Sequence, residues 1–477
     1  MTNLLIFNCL TLFSVAAAAS TEQEQQSGLI TIPLIPYHVH VRRRRRLDRP
    51  AQENATISPK PIDPFEERSS SLYQGYGTHF VDLWIGTPFQ RQSVIVDTGS
   101  GVTAVPCKNC VSCGSEYHTD PYFDEDASET FLEISCEECS VGHCMSHARK
   151  CHLEVSYQEG SSWTAHEVTD ITYLGGSHEF PLESPPKDTF QLRFGCQSRV
   201  TGLFKTQLED GIMGMDLSET SFWQQAYAQG VLRNKAFSLC FSRQKVVEII
   251  ASEAGVLTLG GNDPRLHSTS MVYADLVPHY SGYFQVHVKK IYLRSGGGES
   301  VESTSNSASI EHVDVTEKRL NKGGVIIDSG TTFTYLTEAL AEPFNKIWKK
   351  LTGNEWDVEQ AVHLSDEELL AMPTILIQLK GWTSGIQDEI APGLAAGVDP
   401  KNPNDIIVTI PPTHYMEYSD KTRKYSPRVF FTEVEGGVLG ANFMMGHNIL
   451  FDEENKRLGF AESTCEYSRV ADPESSQ

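Results

Sequence analysis

Apolar residues in this chain recur in short β-branched and aromatic runs, separated by Gly, Pro, Ser and Asp, a pattern that predicts strands. Thr78-His79-Phe80-Val81-Asp82-Leu83-Trp84-Ile85-Gly86 alternates as a strand, and Thr87-Pro88-Phe89-Gln90 reads as the turn after it. At hairpin distance comes Val94-Ile95-Val96, which runs straight into Asp97-Thr98-Gly99-Ser100. A carboxylate ending a buried strand is costly unless it is hydrogen-bonded or paired. The same order returns in the second half, where Val325-Ile326-Ile327 runs into Asp328-Ser329-Gly330-Thr331. Helical spacing is confined to a few stretches, such as residues 221–229 and 337–351, the latter with Leu340, Phe344, Ile347, Trp348 and Leu351 on one face. The pattern predicts a mostly β chain in which two similar halves each present an aspartate.

Other stretches depart from this pattern. The apolar run over residues 4–19 ends in Ala16-Ala17-Ala18-Ala19-Ser20 and reads as a signal peptide, residues 1–19. Residues 20–72 are polar, Pro-rich and weakly periodic, so they read as a pro-segment or leader without a fold of its own. The unbroken basic run Arg42 to Arg46 is compatible with a processing site, an electrostatic latch or a solvated charge run. Asn54-Ala55-Thr56 is the one clear glycosylation sequon. Residues 295–321, rich in Ser, Gly and Glu, read as an exposed, flexible insertion, and residues 467–477 as a polar tail. No other apolar stretch approaches membrane-spanning length, so no membrane span is expected in the mature chain.

At 477 residues the chain is long enough for two packed units. A formal net charge of -23 argues against a nucleic-acid partner. Eleven cysteines are present. Cys9 falls in the signal peptide, and the other ten are Cys107, Cys110, Cys113, Cys136, Cys139, Cys144, Cys151, Cys196, Cys240 and Cys465. An even number in a secretory chain implies disulfides, with connectivity left open. The spacing of the cysteines between 107 and 151, with His143, His147 and His152 nearby, also allows zinc ligation, and hence a zinc-dependent hydrolase, as an alternative. There is no Gly-x-Ser-x-Gly, P-loop or dinucleotide fingerprint, and no cofactor is expected.

The halves share more than the aspartate. Asp210-Gly211-Ile212-Met213-Gly214 follows in the first and Gly437-Val438-Leu439-Gly440 in the second. Asp-hydroxyl-Gly followed by apolar-apolar-Gly, twice, resembles the pepsin-like aspartic proteases (peptidase A1 type). The resemblance runs from about residue 73 to 466 and includes Ile85-Gly86-Thr87-Pro88, Tyr157-Gln158-Glu159-Gly160-Ser161, Thr258-Leu259-Gly260-Gly261 and Leu458-Gly459-Phe460-Ala461. The Cys-rich stretch 107–151 is similar to the insertion of the nepenthesin-like and plasmepsin V-like branch. Ala104 stands where most pepsins carry a Trp that hydrogen-bonds the flap Tyr, and Ser329 replaces a Thr.

The resemblance implies a bilobal β fold, with an N-terminal lobe over 73–265, a C-terminal lobe over 266–466 and a cleft between them. It implies a secretory, monomeric aspartic endopeptidase made as a zymogen and acting on protein or peptide substrates. Asp97 and Asp328 would be the catalytic pair. Gly99 and Gly330 would lend backbone N–H groups to the carboxylates, Ser100 and Thr331 would hydrogen-bond their outer oxygens, and Thr98 and Ser329 would brace the two loops. Tyr157 and Gly160 would form a substrate-covering flap, and Cys240 would pair with Cys465. A pepsin-fold protein that only binds, such as an inhibitor receptor, is the non-enzymatic alternative; the intact aspartates favour the enzyme.

Overall fold

The computed structural model describes residues 30–36, 78–145, 149–175, 181, 185–242, 254–278, 282–296, 308–383, 391–419 and 421–466. Residues 1–19, Arg42 to Arg46, Asn54, His147 and residues 467–477 lie outside the described residues.

Strand pairing repeats the order seen in the sequence. In the first half, Gln90–Asp97 runs parallel to Gly211–Gly214, with Gly214 opposite Asp97. In the second, Val325–Ile327 runs parallel to Val438–Leu439, with Leu439 opposite Ile327. Each apolar-Gly strand also pairs antiparallel with the strand beyond the aspartate turn, Ala104–Pro106 or Thr334–Thr337. That strand then pairs parallel with Phe190–Thr201 or Val429–Glu433. The aspartate turn is thus pinned on the same side in both halves. The glycines permit the crowding: a Cβ on Gly214 would lie 2.3 Å from the Val102 nitrogen, and one on Gly440 2.2 Å from the Phe333 oxygen.

The first-half sheet closes on itself where His79–Ile85 pairs with both Gln90–Asp97 and Ser162–Leu174. The second half is built of separate five-, four- and two-stranded sheets. Between them lies a shared layer: Ala236–Phe241 and Gly255–Leu259 from the first half, His447–Asp452 and Arg457–Glu462 from the second. Phe237 stacks on Phe451 there, with centroids 4.7 Å apart and planes within 10°. The molecule is a bilobal, mostly β fold.

The helical spacing after Asp328 becomes a 3₁₀ turn, Glu338–Leu340, and the helix Ala341–Thr352. Phe344 and Trp348, one turn apart, are buried on its inner face. Burial of each apolar side chain of this kind stabilises by about 1.5–3 kcal/mol. Gly353, at φ 76°, ends the helix in the left-handed conformation.

Two expectations are corrected. Residues 20–72 are not wholly outside the fold, because Ile30–Pro36 forms a strand between Gly255–Leu259 and His79–Ile85. Its Ile-Thr-Ile run is β-prone, and an extended partner edge satisfies its backbone whatever the polarity of the flanking chain. The 295–321 stretch is likewise only partly a loop. Ile310–His312 pairs with Val288–Arg294, Glu317–Leu320 is a short helix, and Val313, Val315 and Leu320 are buried.

All ten cysteines among the described residues are oxidised, as Cys107–Cys196, Cys110–Cys113, Cys136–Cys144, Cys139–Cys151 and Cys240–Cys465. No thiolate is left for the zinc cluster considered above, whereas five disulfides suit folding in an oxidising compartment. No helix among the described residues is long and apolar enough to cross a membrane.

Candidate active site

Both aspartates end their strands at the junction of the halves, and the two turns are interlocked. Thr98 Oγ1 donates to the Ile327 carbonyl at 3.0 Å and accepts from the Ser329 N–H at 2.9 Å. Ser329 Oγ donates to the Val96 carbonyl at 2.7 Å and accepts from the Thr98 N–H at 3.0 Å. Thr98 and Ser329 are fully buried, so losing either hydroxyl leaves orphaned backbone groups in both halves. Serine needs only its hydroxyl to fill this role.

Each carboxylate is held by its own turn. Asp97 accepts from the Gly99 N–H at 2.9 Å and the Ser100 hydroxyl at 2.5 Å. Asp328 accepts from the Gly330 N–H at 2.9 Å and the Thr331 hydroxyl at 2.5 Å. Each also lies against the opposite turn: a Cβ on Gly99 would sit 2.8 Å from the Asp328 carboxylate, and one on Gly330 2.2 Å from Asp97 Oδ1. Only glycine admits this approach. The aspartates are 4% and 9% exposed, so the pair is almost removed from bulk water. Burial and the neighbouring Asp328 charge raise the Asp97 carboxyl well above the ordinary carboxylate range, against the opposing donors Ser100 and Gly99. A second carboxylate this close opposes ionisation of Asp97.

The hairpin formed by Lys150–Ser156 and Ser162–Leu174 carries Tyr157 at its turn. The turn is closed by the Tyr157 N–H to the Ser161 carbonyl at 2.8 Å and the Gly160 N–H to the Tyr157 carbonyl at 3.1 Å. Gly160 has a φ of 94°. Burial and the Asp97 charge raise the Tyr157 phenol, which keeps it protonated. Its oxygen accepts from the Trp163 indole N–H at 3.2 Å. Ala104 does not leave the Tyr unsupported, because Trp163 fills the space. Gly195, Ala104 and Ala165 form the hollow for its ring. Sequence reading assigned Trp163 no role. The clue to its role was its place six residues beyond Tyr157, on the returning strand.

Tyr283 escaped sequence reading. Its phenol is raised by burial and then by the charges of Asp216, Asp328 and Asp97, which puts it within electrostatic reach of both aspartates. Its neighbours Ser281-Gly282-Tyr283-Phe284 form no motif that sets it apart. The cysteine-rich stretch, by contrast, lies beside the hairpin rather than at the carboxylates, with Cys139–Cys151 clasping it to Lys150–Ser156 and Cys136–Cys144 tying it to His143–Met145, the strand paired with that one.

Two pseudo-equivalent aspartate turns, cross-braced at the junction of two β lobes, define the class of pepsin-like aspartyl proteases. Sequence comparison agrees. The profile of the eukaryotic aspartyl protease family matches residues 188–463, and that of the xylanase inhibitor N-terminal family matches 79–261. The chain belongs to the eukaryotic aspartyl protease family. It is similar to aspartyl protease family protein 2 of Arabidopsis thaliana, 26% identical over 431 residues, 86% of this chain and 76% of that protein. It is also similar to plasmepsin V of Plasmodium falciparum, 23% identical over 440 residues, 82% and 71% of the two chains. Aspartic protease 5 of Toxoplasma gondii is 33% identical over 225 residues, which is 42% of this chain and 21% of that longer protein.

Proposed function

We propose that this protein is an aspartic endopeptidase that hydrolyses peptide bonds with a water activated between Asp97 and Asp328. The observation that carries this reading is the two-fold hydrogen-bond set: each carboxylate is held by its own Gly N–H and hydroxyl and pressed against the opposite glycine. The ionised member of the pair takes a proton from the water. The protonated member hydrogen-bonds the substrate carbonyl and then passes a proton towards the leaving amine. Thr98 and Ser329 fix the distance between the two. Tyr157 closes over the substrate from the hairpin turn, where Gly160 lends freedom to the tip. No covalent intermediate is required.

The same reading makes residues 1–19 a signal peptide and the following stretch a pro-segment. It places the enzyme, as a monomer, in a secretory or endomembrane lumen. The Ile30–Pro36 strand then gives the pro-segment a fixed seat in the shared sheet. Cleavage of an unfolded protein substrate by the mature, disulfide-bonded chain tests the proposal, with Asp97→Asn and Asp328→Asn alongside. Each variant is expected to lose about 10²–10⁴-fold in kcat/KM. The wild-type rate is expected to fall as pH rises through the raised carboxyl and the shared proton leaves. Unchanged cleavage in both variants would sink the mechanism. Substrate binding without turnover by the wild type would favour the non-enzymatic alternative.

A further inference from the structure

Three histidines lie in line across three neighbouring strands of the first half. His143 on His143–Met145 is directly opposite His152 on Lys150–Ser156, and His152 is directly opposite His166 on Ser162–Leu174. Directly opposed residues of an antiparallel pair put their Cβ atoms about 4.5–5.5 Å apart on the same face. The rings follow that spacing, with centroids 5.4 Å apart for His143 and His152 and 6.0 Å apart for His152 and His166. His143 is exposed, and His152 and His166 are half-buried.

Nothing in the packing accounts for the row. The Nδ1 atoms of His152 and His166 are buried without a hydrogen-bond partner, which is unfavourable for an imidazole in a sheet. The charged neighbours of His166 are Lys150 and Glu133, and these two are already paired with each other. Among the described residues no ion pair holds the three rings, and the ring contacts they make are edge or tilted contacts with one another. The spacing suits a ligand shared by two neighbouring imidazoles, while the three rings together do not bring a donor atom each within 4.8 Å of one another. Two imidazoles bound to one zinc at about 2.0–2.1 Å, in roughly tetrahedral geometry, have ring centres about 5–6 Å apart. Both contacts in the row fall near that figure.

We propose that His152, with His143 and His166 on either side, is a surface site for a borderline divalent transition metal such as Zn²⁺ or Cu²⁺, the ions that imidazole suits. His152 is the common member, and either neighbour completes a pair with it. The site is separate from the aspartates and from the described cysteines, which are all in disulfides. It lies on the outer face of the hairpin that carries Tyr157. His143 lies between Cys139 and Cys144, so a bound ion would tie the cysteine-rich stretch to both hairpin strands.

Isothermal titration of the intact, disulfide-bonded chain with Zn²⁺, and separately with Cu²⁺, tests the site. One ion per chain is expected, with affinity weakened about tenfold or more by His152→Gln, and less by His143→Gln or His166→Gln. Wild-type protein that takes up neither ion overturns the proposal, as does a His152→Gln variant that binds as tightly as wild type. A readout free of substitutions guards against misfolding. Zn²⁺ should protect His152 from acylation by diethyl pyrocarbonate, located by mass spectrometry, and equal labelling with and without the ion counts against the site. Neither measurement depends on peptidase activity, so the site and the proposed enzyme stand or fall separately.

Discussion

The indole of Trp163 is the residue on which the hairpin's grip on Tyr157 turns. Its N–H is the donor to the phenol oxygen, while its ring is buried among Ala104, Ala165 and Gly195. Trp163→Phe keeps most of the buried surface and removes the donor. A net hydrogen bond of about 0.5–1.5 kcal/mol corresponds to a fall of about 2- to 10-fold in kcat/KM, with the unfolding midpoint nearly unchanged. Steady-state kinetics beside a thermal melt check this; a large loss of stability with unaltered kinetics would make Trp163 a packing residue only. The two aspartates were legible because each is a local conflict, a carboxylate closing an apolar strand, and because the conflict occurs twice. Trp163 was not legible in the same way. Its partnership with Tyr157 exists only once the hairpin register sets Val155 opposite Trp163.

Among elements, the cysteine-rich segment is the least pepsin-like, and one carboxylate holds part of it in place. Glu167, on the Ser162–Leu174 strand, is 3% exposed and accepts from the backbone N–H groups of Ser140, Val141 and Gly142 at 2.9, 2.6 and 2.5 Å. Burial pushes its carboxyl up, but the three donors outweigh it and hold it below its ordinary value. A lowered folded pKa gives stability that is present above the unfolded value, about 4.3, and is lost as pH falls through the folded one. Glu167→Gln is therefore expected to destabilise by about 1–3 kcal/mol at pH 7, with the gap to wild type shrinking below about pH 4. Urea titrations at the two pH values measure it, and a gap that does not vary with pH would refute the charge-based account. The sequence marked this segment by its cysteines but not by Glu167, since nothing local distinguishes one strand glutamate from another. The two misread elements share a cause. Ile30–Pro36 and residues 310–320 sit in stretches whose average polarity hides a short apolar run, and only a distant partner edge makes each run a strand or a packed helix.

At the scale of the molecule, the halves are joined at two places of different kind: the cross-braced turns at the aspartates and the shared sheet behind them. The Cys240–Cys465 disulfide belongs to the second, closing a loop across a sequence separation of 225. Cys240 lies opposite Asn448 in the pairing of Ala236–Phe241 with His447–Asp452, and Cys465 follows Arg457–Glu462, the last strand among the described residues. Both cysteines are buried with Val256 and Leu266. The bond therefore staples the C-terminal strands onto the first half, where fraying would begin. Loop-closure entropy for so long a loop sets a ceiling of about 5 kcal/mol, and native disulfides typically contribute about 2–5 kcal/mol. Removing both thiols together, as Cys240→Ser with Cys465→Ser, avoids an unpaired buried thiol. The double variant is expected to unfold at distinctly lower urea concentration, followed by tryptophan fluorescence. Below its transition its kcat/KM should match wild type, because the hydrogen bonds that set the aspartate spacing run through Thr98 and Ser329 and not through the sheet. A variant that kept its stability would show that the strand pairing alone joins the halves. One that kept stability but lost activity would show that the sheet, rather than the cross-braced turns, sets the distance between the carboxylates.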